Sequence, residues 1–102
     1  MAGAGQSDRY EKVEWIGSGT SGSVWRALDL QHAGRVCALK QLTATSPENE
    51  ESLRREFAAL ATLKHPGLVR VYDFDVDPET AVPRFSLEYI DGVDFVLSLI
   101  HI

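Results

Sequence analysis

Cysteine is nearly absent from this chain. Cys37 is the single one among 102 residues, which excludes an internal disulfide framework and fits a reducing compartment. A long hydrophobic run is also missing, and no stretch reaches the length of a membrane span. Positive charge is in the minority: 10 Lys and Arg against 15 Asp and Glu leave a formal charge of −5. With no basic run or stripe, a nucleic-acid surface is excluded. The histidines His32, His65 and His101 are scattered and show no metal-ligand spacing with Cys37. The opening "MAGAGQSD" has neither the basic n-region nor the apolar h-region of a signal peptide. Residues 1–9 read as a flexible tail, and the cytoplasm is the expected location. No internal repeat or low-complexity block is present.

What remains is ordinary for a soluble globular domain, with 44% hydrophobic and 25% charged residues. The length allows one domain, near the lower end for a self-sufficient core. "YEKVEWIGSG" reads as a strand in which Val13 and Trp15 alternate with charged neighbours. "SVWRALDL" is a second strand, joined to the first by a glycine-rich hairpin connection. "QHAGR" supplies a turn with Gly34, and "VCALKQL" is a third strand. The segment 43–66 predicts a helix. Ser46 stands at the N-cap, Pro47 at the first helical position, and Glu48, Glu50 and Glu51 load the first turns with negative charge. Leu53, Phe57, Leu60 and Leu63 recur at helical spacing until Pro66. "LVRVYDFDV" and "RFSLEYI" are two further strands around the turn-rich "DPETAVP", and "DGVDFVLSLIHI" begins another helix. The order is β-β-β-α-β-β.

The stretch "IGSGTSGSV" carries G-x-G-x-x-G in Gly17, Gly19 and Gly22. A dinucleotide fold needs those glycines to open a helix, with an acidic residue about 20 positions on. Here a β-type segment follows, so that reading fits poorly. A Walker A loop is excluded, because Ser23 and not Lys follows Gly22. A phosphate-covering hairpin turn and a plain structural loop both remain.

The helix narrows the choice. Glu50 and Arg54, and Glu51 and Arg55, are i,i+4 pairs of a solvent face. Glu56 has no basic neighbour at helical spacing and projects between Leu60 and Leu63, inside the apolar arc. A carboxylate there needs a partner or must reach past the edge of the stripe. Lys40 poses the complementary problem, because alternation puts it on one strand face with Val36 and Ala38. One arrangement answers all three: Glu56 holds the Lys40 ammonium, and Lys40 reaches phosphates under the glycine loop.

Taken in order, "GSGTSGSV", "VCALK", "LRREFAALATLKHPGLVRVYDF" and "FSLEYIDG" resemble the amino-terminal lobe of a eukaryotic-type protein kinase. The likeness is strongest to the serine/threonine kinases of bacteria and runs from about Tyr10 onward. It implies an α+β fold, a kinase N-lobe over residues 10–92 with a five-stranded antiparallel sheet and one αC-type helix. Residues 93–102 are then the start of a C-lobe helix, cut short at Ile102.

The resemblance also implies site roles. The glycine loop covers the ATP phosphates through Ile16, Gly17, Ser18, Gly19, Thr20, Ser21, Gly22, Ser23 and Val24. Val24 and Ala38 form the upper face of the adenine pocket, and Leu87 is the gatekeeper behind it. Lys40 contacts the α- and β-phosphates and Glu56 orients Lys40; these two are the implied catalytic residues. Backbone groups of Glu88 and Ile90 bond the adenine edge, and Asp94 stands near the ribose. Leu60 and Val71 take the N-lobe places in the hydrophobic column of an active kinase, positions that plain core packing also fits. Cys37 is expected to be a small core residue, His65 a helix-end residue, and Trp25, in place of the family's more usual tyrosine, a residue that covers the sheet.

The implied activity is transfer of the ATP γ-phosphate to protein hydroxyls, with ATP as cofactor and a protein as substrate of the full-length enzyme. These 102 residues contain no His-Arg-Asp catalytic loop and no Asp-Phe-Gly, so the Mg²⁺ of a complete kinase has no ligand here. The polypeptide alone is therefore expected to be inactive. Its apolar ending, "VDFVLSLIHI", is expected to drive self-association. The alternative function is a non-catalytic, kinase-derived module that binds nucleotide or a protein partner.

Overall fold

A computed structural model describes residues 8–19, 22–43, 45–62 and 70–90. Strand β1 (Tyr10–Gly19) pairs antiparallel with β2 (Gly22–Asp29), and β2 with β3 (Arg35–Gln41). Helix α1 (Pro47–Thr62) follows, then β4 (Val71–Val76) and β5 (Pro83–Glu88). The five strands form one antiparallel sheet in the order β1-β2-β3-β5-β4, so β5 lies between β3 and β4. The α+β architecture, a five-stranded antiparallel sheet with one helix, is the one expected from the sequence. Most strand bounds depart from expectation by a residue or two: β5 takes in Pro83 and ends at Glu88, leaving Tyr89 and Ile90 outside. Strand β4 starts at Val71, after Arg70, with the expected Leu68 and Val69 outside the described residues.

Local chemistry explains the connections. Gly22 opens β2 at φ 149°, and a Cβ there would stand 2.3 Å from the Gln41 carbonyl oxygen of β3. Only glycine lets the two strands approach so closely. Between β2 and β3, the Asp29 carboxylate accepts from the Gln31 N–H, and Ala33 and Gly34 take left-handed conformations, φ 57° and 74°. The Ser46 hydroxyl accepts from the Asn49 N–H at 3.1 Å and caps α1, with Pro47 first in the helix. Between β4 and β5, the Asp77 carboxylate accepts from the N–H groups of Glu79 and Thr80.

Each face of the sheet has its own core. On the inner face Val24, Ala38, Leu42, Phe85 and Leu87 are buried against Leu53 of α1. Phe57, Leu60, Val71 and Phe74 pack around them. Leu63 and Pro66, the expected end of the helical stripe, lie outside the described residues. On the outer face Tyr10, Ala27, Cys37 and Leu39 are buried, flanked by Trp25 and Tyr72. The opposite placement of Cys37 and Lys40 follows from strand alternation.

Val13 and Trp15 alternate as a strand should, yet both are exposed, at 46% and 56%. The reason is position: β1 is an edge strand, and its register with β2 shifts between Lys12 and Glu14 and again between Trp15 and Gly17. Each shift adds a residue that the partner strand does not match, so alternation no longer tracks one buried face.

The outer core is closed by Asp8 and Arg9, residues that the sequence placed in the tail. Arg9 donates to both oxygens of Asp29, at 3.0 and 2.9 Å, and to Asp73 of β4. Arg84 of β5, 1% exposed, pairs with Asp75 at 2.8 Å and Asp8 at 2.9 Å. Both guanidinium groups lie over the Tyr10 ring, and the Tyr10 hydroxyl donates to Ser86 at 2.6 Å. Burial alone would raise the Asp29 carboxyl, but the Arg9 hydrogen bonds and charge hold it below the usual carboxylate range. Asp8 is held low in the same way by Arg84 and the Tyr10 N–H.

Candidate functional site

Lys40 sits near the end of β3, with Val24 of β2 directly opposite on one side and Phe85 of β5 on the other. Paired residues point to the same face, so all three side chains enter the inner core. The Lys40 side chain is 1% exposed and its Nζ meets Glu56 Oε1 of α1 at 2.9 Å, with Glu56 itself 9% exposed. The two charges that looked misplaced in the sequence are thus each other's partner. Arg54 and Arg55 bond Glu50 and Glu51 on the solvent side, at 3.2 and 2.9 Å, as their spacing predicted.

Around this pair the structure gathers several of the candidate residues. Val24 and Ala38 are buried side by side in the inner core, and Leu87 lies directly opposite Ala38. Ile16 packs half-buried against the same cluster. Gly17 is buried opposite Val24, while Ser18 and Gly19 are exposed opposite Ser23 and Gly22 at the hairpin tip. Thr20 and Ser21 lie outside the described residues, and so does Asp94. Glu88 ends β5 half-buried; its N–H donates to the Arg70 carbonyl at 2.7 Å and its Oε1 accepts from the Arg70 N–H. Ile90 is exposed beyond the strand. His65 is not among the described residues.

Cys37 is buried on the opposite face, and burial pushes its thiol up to about 11. It stays protonated and inert at neutral pH, a core residue as expected. Trp25 is half-buried in the outer core, with the Lys12 ammonium 5.2 Å above its ring. The sequence reading missed the aromatic cluster beneath the ion pair. The Phe57 ring stands 5.6 Å from that of Phe74 and 5.7 Å from that of Phe85. Its signal was available: Phe57 lies on the apolar stripe of the helix, and alternation puts Phe85 on the face of Leu87.

The family model for the protein kinase domain matches residues 10–100. The chain belongs to the protein kinase family. Among curated relatives, it is 40% identical over 85 residues to the DNA damage-responsive serine/threonine-protein kinase RqkA of Deinococcus radiodurans. That match covers 82% of this chain and 13% of the relative. Serine/threonine-protein kinase A of Synechocystis is 37% identical over 90 residues, 84% of this chain and 17% of that kinase. Serine/threonine-protein kinase PknB of Mycolicibacterium smegmatis is 39% identical over 92 residues, 85% and 15% respectively. The chain therefore spans less than a fifth of these kinases. The sheet and helix are those of a kinase N-lobe, and among the described residues no helix is long and apolar enough to cross a membrane.

Proposed function

We propose that residues 10–92 form the ATP-binding lobe of a serine/threonine protein kinase that transfers the γ-phosphate of ATP to protein hydroxyls. The observation that carries this reading is the Lys40–Glu56 pair, 2.9 Å apart and almost fully buried. Such a pair contributes little net stability, because desolvation of both charges offsets their attraction. Well-packed apolar side chains would serve the core as well. A lysine held there, on the sheet face beneath a glycine-rich hairpin, suits an anionic ligand better than it suits packing.

The residues present fit ATP in distinct ways. Gly17, Gly19 and Gly22 let the hairpin backbone come close to phosphates, and Lys40 neutralises the α- and β-phosphates while Glu56 fixes its ammonium. Val24, Ala38 and Leu87, grouped in the inner core, supply apolar lining for the adenine ring. Because the Glu88 N–H is committed to Arg70, a hydrogen bond from its backbone to the adenine edge uses the carbonyl. Ile90 and Asp94 complete the proposed site. ATP arrives with Mg²⁺, whose protein ligands in a kinase come from the catalytic loop and Asp-Phe-Gly and not from these residues. By the same logic the 102-residue chain turns over no substrate.

Titration of the protein with ATP, followed calorimetrically, tests the reading. Lys40→Met should weaken binding at least about tenfold. The double variant Lys40→Met/Glu56→Gln should weaken it equally while keeping the wild-type circular dichroism, since neither charge is left alone. Undiminished affinity in both variants overturns the proposal. A phosphotransfer assay showing turnover by the 102-residue chain that Lys40→Met abolishes overturns the expected inactivity.

A further inference from the structure

The Lys40–Glu56 contact joins two elements with no covalent reason to stay in register. Lys40 is fixed by the sheet, with β2 on one side and β5 on the other. Glu56 rides on α1, which among the described residues packs on the sheet mainly through side chains facing β4 and β5. Something must therefore set the rotation of α1 about its own axis. The tolerance is small: a group at the helix rim, about 6 Å from the axis, moves roughly 3 Å for a rotation of about 30°. That doubles a contact of 2.9 Å.

The geometry points to Phe57 as the positioning residue of this pair. Phe57 follows Glu56 directly, so any rotation of α1 carries both side chains together. Its ring is seated between two strands, edge-on to Phe74 of β4 (5.6 Å, 63° between planes) and tilted against Phe85 of β5 (5.7 Å, 55°). Offset and edge-to-face contacts of this kind are directional, unlike the contacts of an aliphatic side chain. Leu53 and Leu60 share the stripe and hold α1 down, yet a rotating leucine exchanges one set of contacts for a similar one. A ring wedged between two rings cannot.

The seat is tied to Lys40 from below. Phe85 lies directly opposite Lys40 in the β3–β5 register, and Phe74 directly opposite Phe85 in the β4–β5 register. One row of the sheet thus carries Lys40, Phe85 and Phe74, and Phe57 reads the position of that row for Glu56. Above, the Arg54 guanidinium lies 4.7 Å from the Phe74 ring centroid, so α1 grips Phe74 at two successive turns.

The role of Phe57 in holding the pair is independent of any ligand; its bearing on nucleotide rests on the function proposed above. The test measures the acetylation rate of the Lys40 amine by acetic anhydride in the native protein, read by mass spectrometry. Phe57→Ala should raise that rate about tenfold, as Glu56→Gln should, by freeing Lys40 from its partner. Phe57→Leu should fall between Phe57→Ala and wild type. Tyr10→Ala, which opens the outer core, should leave it unchanged. A wild-type rate in Phe57→Ala, or an equal rise in Tyr10→Ala, overturns the assignment. Should Phe57→Ala fail to fold, Phe57→Leu decides alone, with an unchanged rate counting against the role. ATP titration of the same variants separates the two ideas. A freed Lys40 with unaltered ATP affinity removes the nucleotide reading and leaves the positioning role standing. Affinity lost in Lys40→Met alongside a protected Lys40 in Phe57→Ala does the reverse.

Discussion

Arg84 and Phe85 are neighbours on β5, both almost fully buried, and point to opposite faces of the sheet. On the inner face, Phe85 is surrounded by aliphatic and aromatic side chains next to the Lys40–Glu56 pair. On the outer face, Arg84 stands among Asp8, Asp75 and Asp77 over the Tyr10 ring. The inner core has a helix to cover it and so is built from apolar area. No α-helix covers the outer face among the described residues. Its small core of Tyr10, Ala27, Cys37 and Leu39 is sealed by charged side chains reaching in from Asp8, Arg9 and the strand ends. Apart from the Lys40–Glu56 pair, the inner core responds to lost volume, whereas the outer one responds to lost charge.

The largest effect should come from breaking the inner face. Phe85→Ala removes the ring that Phe57 rests on and should cost about 3–5 kcal/mol in urea unfolding. On the outer face, Arg84→Ala strands its aspartates and should cost about 3 kcal/mol. A cost below about 1 kcal/mol for Arg84→Ala would show that the charged seal is dispensable and the contrast misplaced.

Acid should probe the charged seal of the outer face without mutation. Asp8 and Asp29 both titrate below their ordinary values in the folded chain, so the folded state holds fewer protons than the unfolded one. Their contribution is complete above the ordinary aspartate range, near about 3.9, and is lost as pH falls through the folded values. Urea midpoints should therefore drop between neutral pH and strong acid, and Asp29→Asn should flatten that dependence. An unaltered slope in Asp29→Asn would place the acid sensitivity elsewhere.

Smaller changes sharpen the comparison at the helix. Ser46→Ala removes the cap of α1 and should cost about 1 kcal/mol. Arg55→Ala breaks an exposed i,i+4 pair and should cost about 0.3 kcal/mol, near the limit of chemical denaturation.

The contrast also explains what could be read in advance. Strands and helix were legible because apolar periodicity is local, and Lys40 and Glu56 stood out as charges inside apolar patterns. Cys37 and Trp25 of the outer face were read correctly, but the charged seal over them was not legible. Arg9 and Asp73 are 64 positions apart and Asp8 and Arg84 are 76 apart, and each looks like an ordinary solvent-facing residue. Strand order was equally hidden, since periodicity does not say that β5 inserts between β3 and β4. The shifts within β1 break the parity on which face assignment depends, so the alternation of Val13 and Trp15 marks a strand without marking a buried face. Part of the proposed site, Thr20, Ser21 and Asp94, stays with the sequence alone.

Those same shifts in β1 bear on what another chain can do to this one. An edge strand with an exposed valine and tryptophan is the usual template for unwanted strand addition. Here regular ladder survives only over residues 10–12, 14–15 and 17–19. An incoming strand finds no straight run long enough to repay the entropy of ordering it. The irregular pairing thus makes β1, one of the two edges of the sheet, a poor template for strand addition.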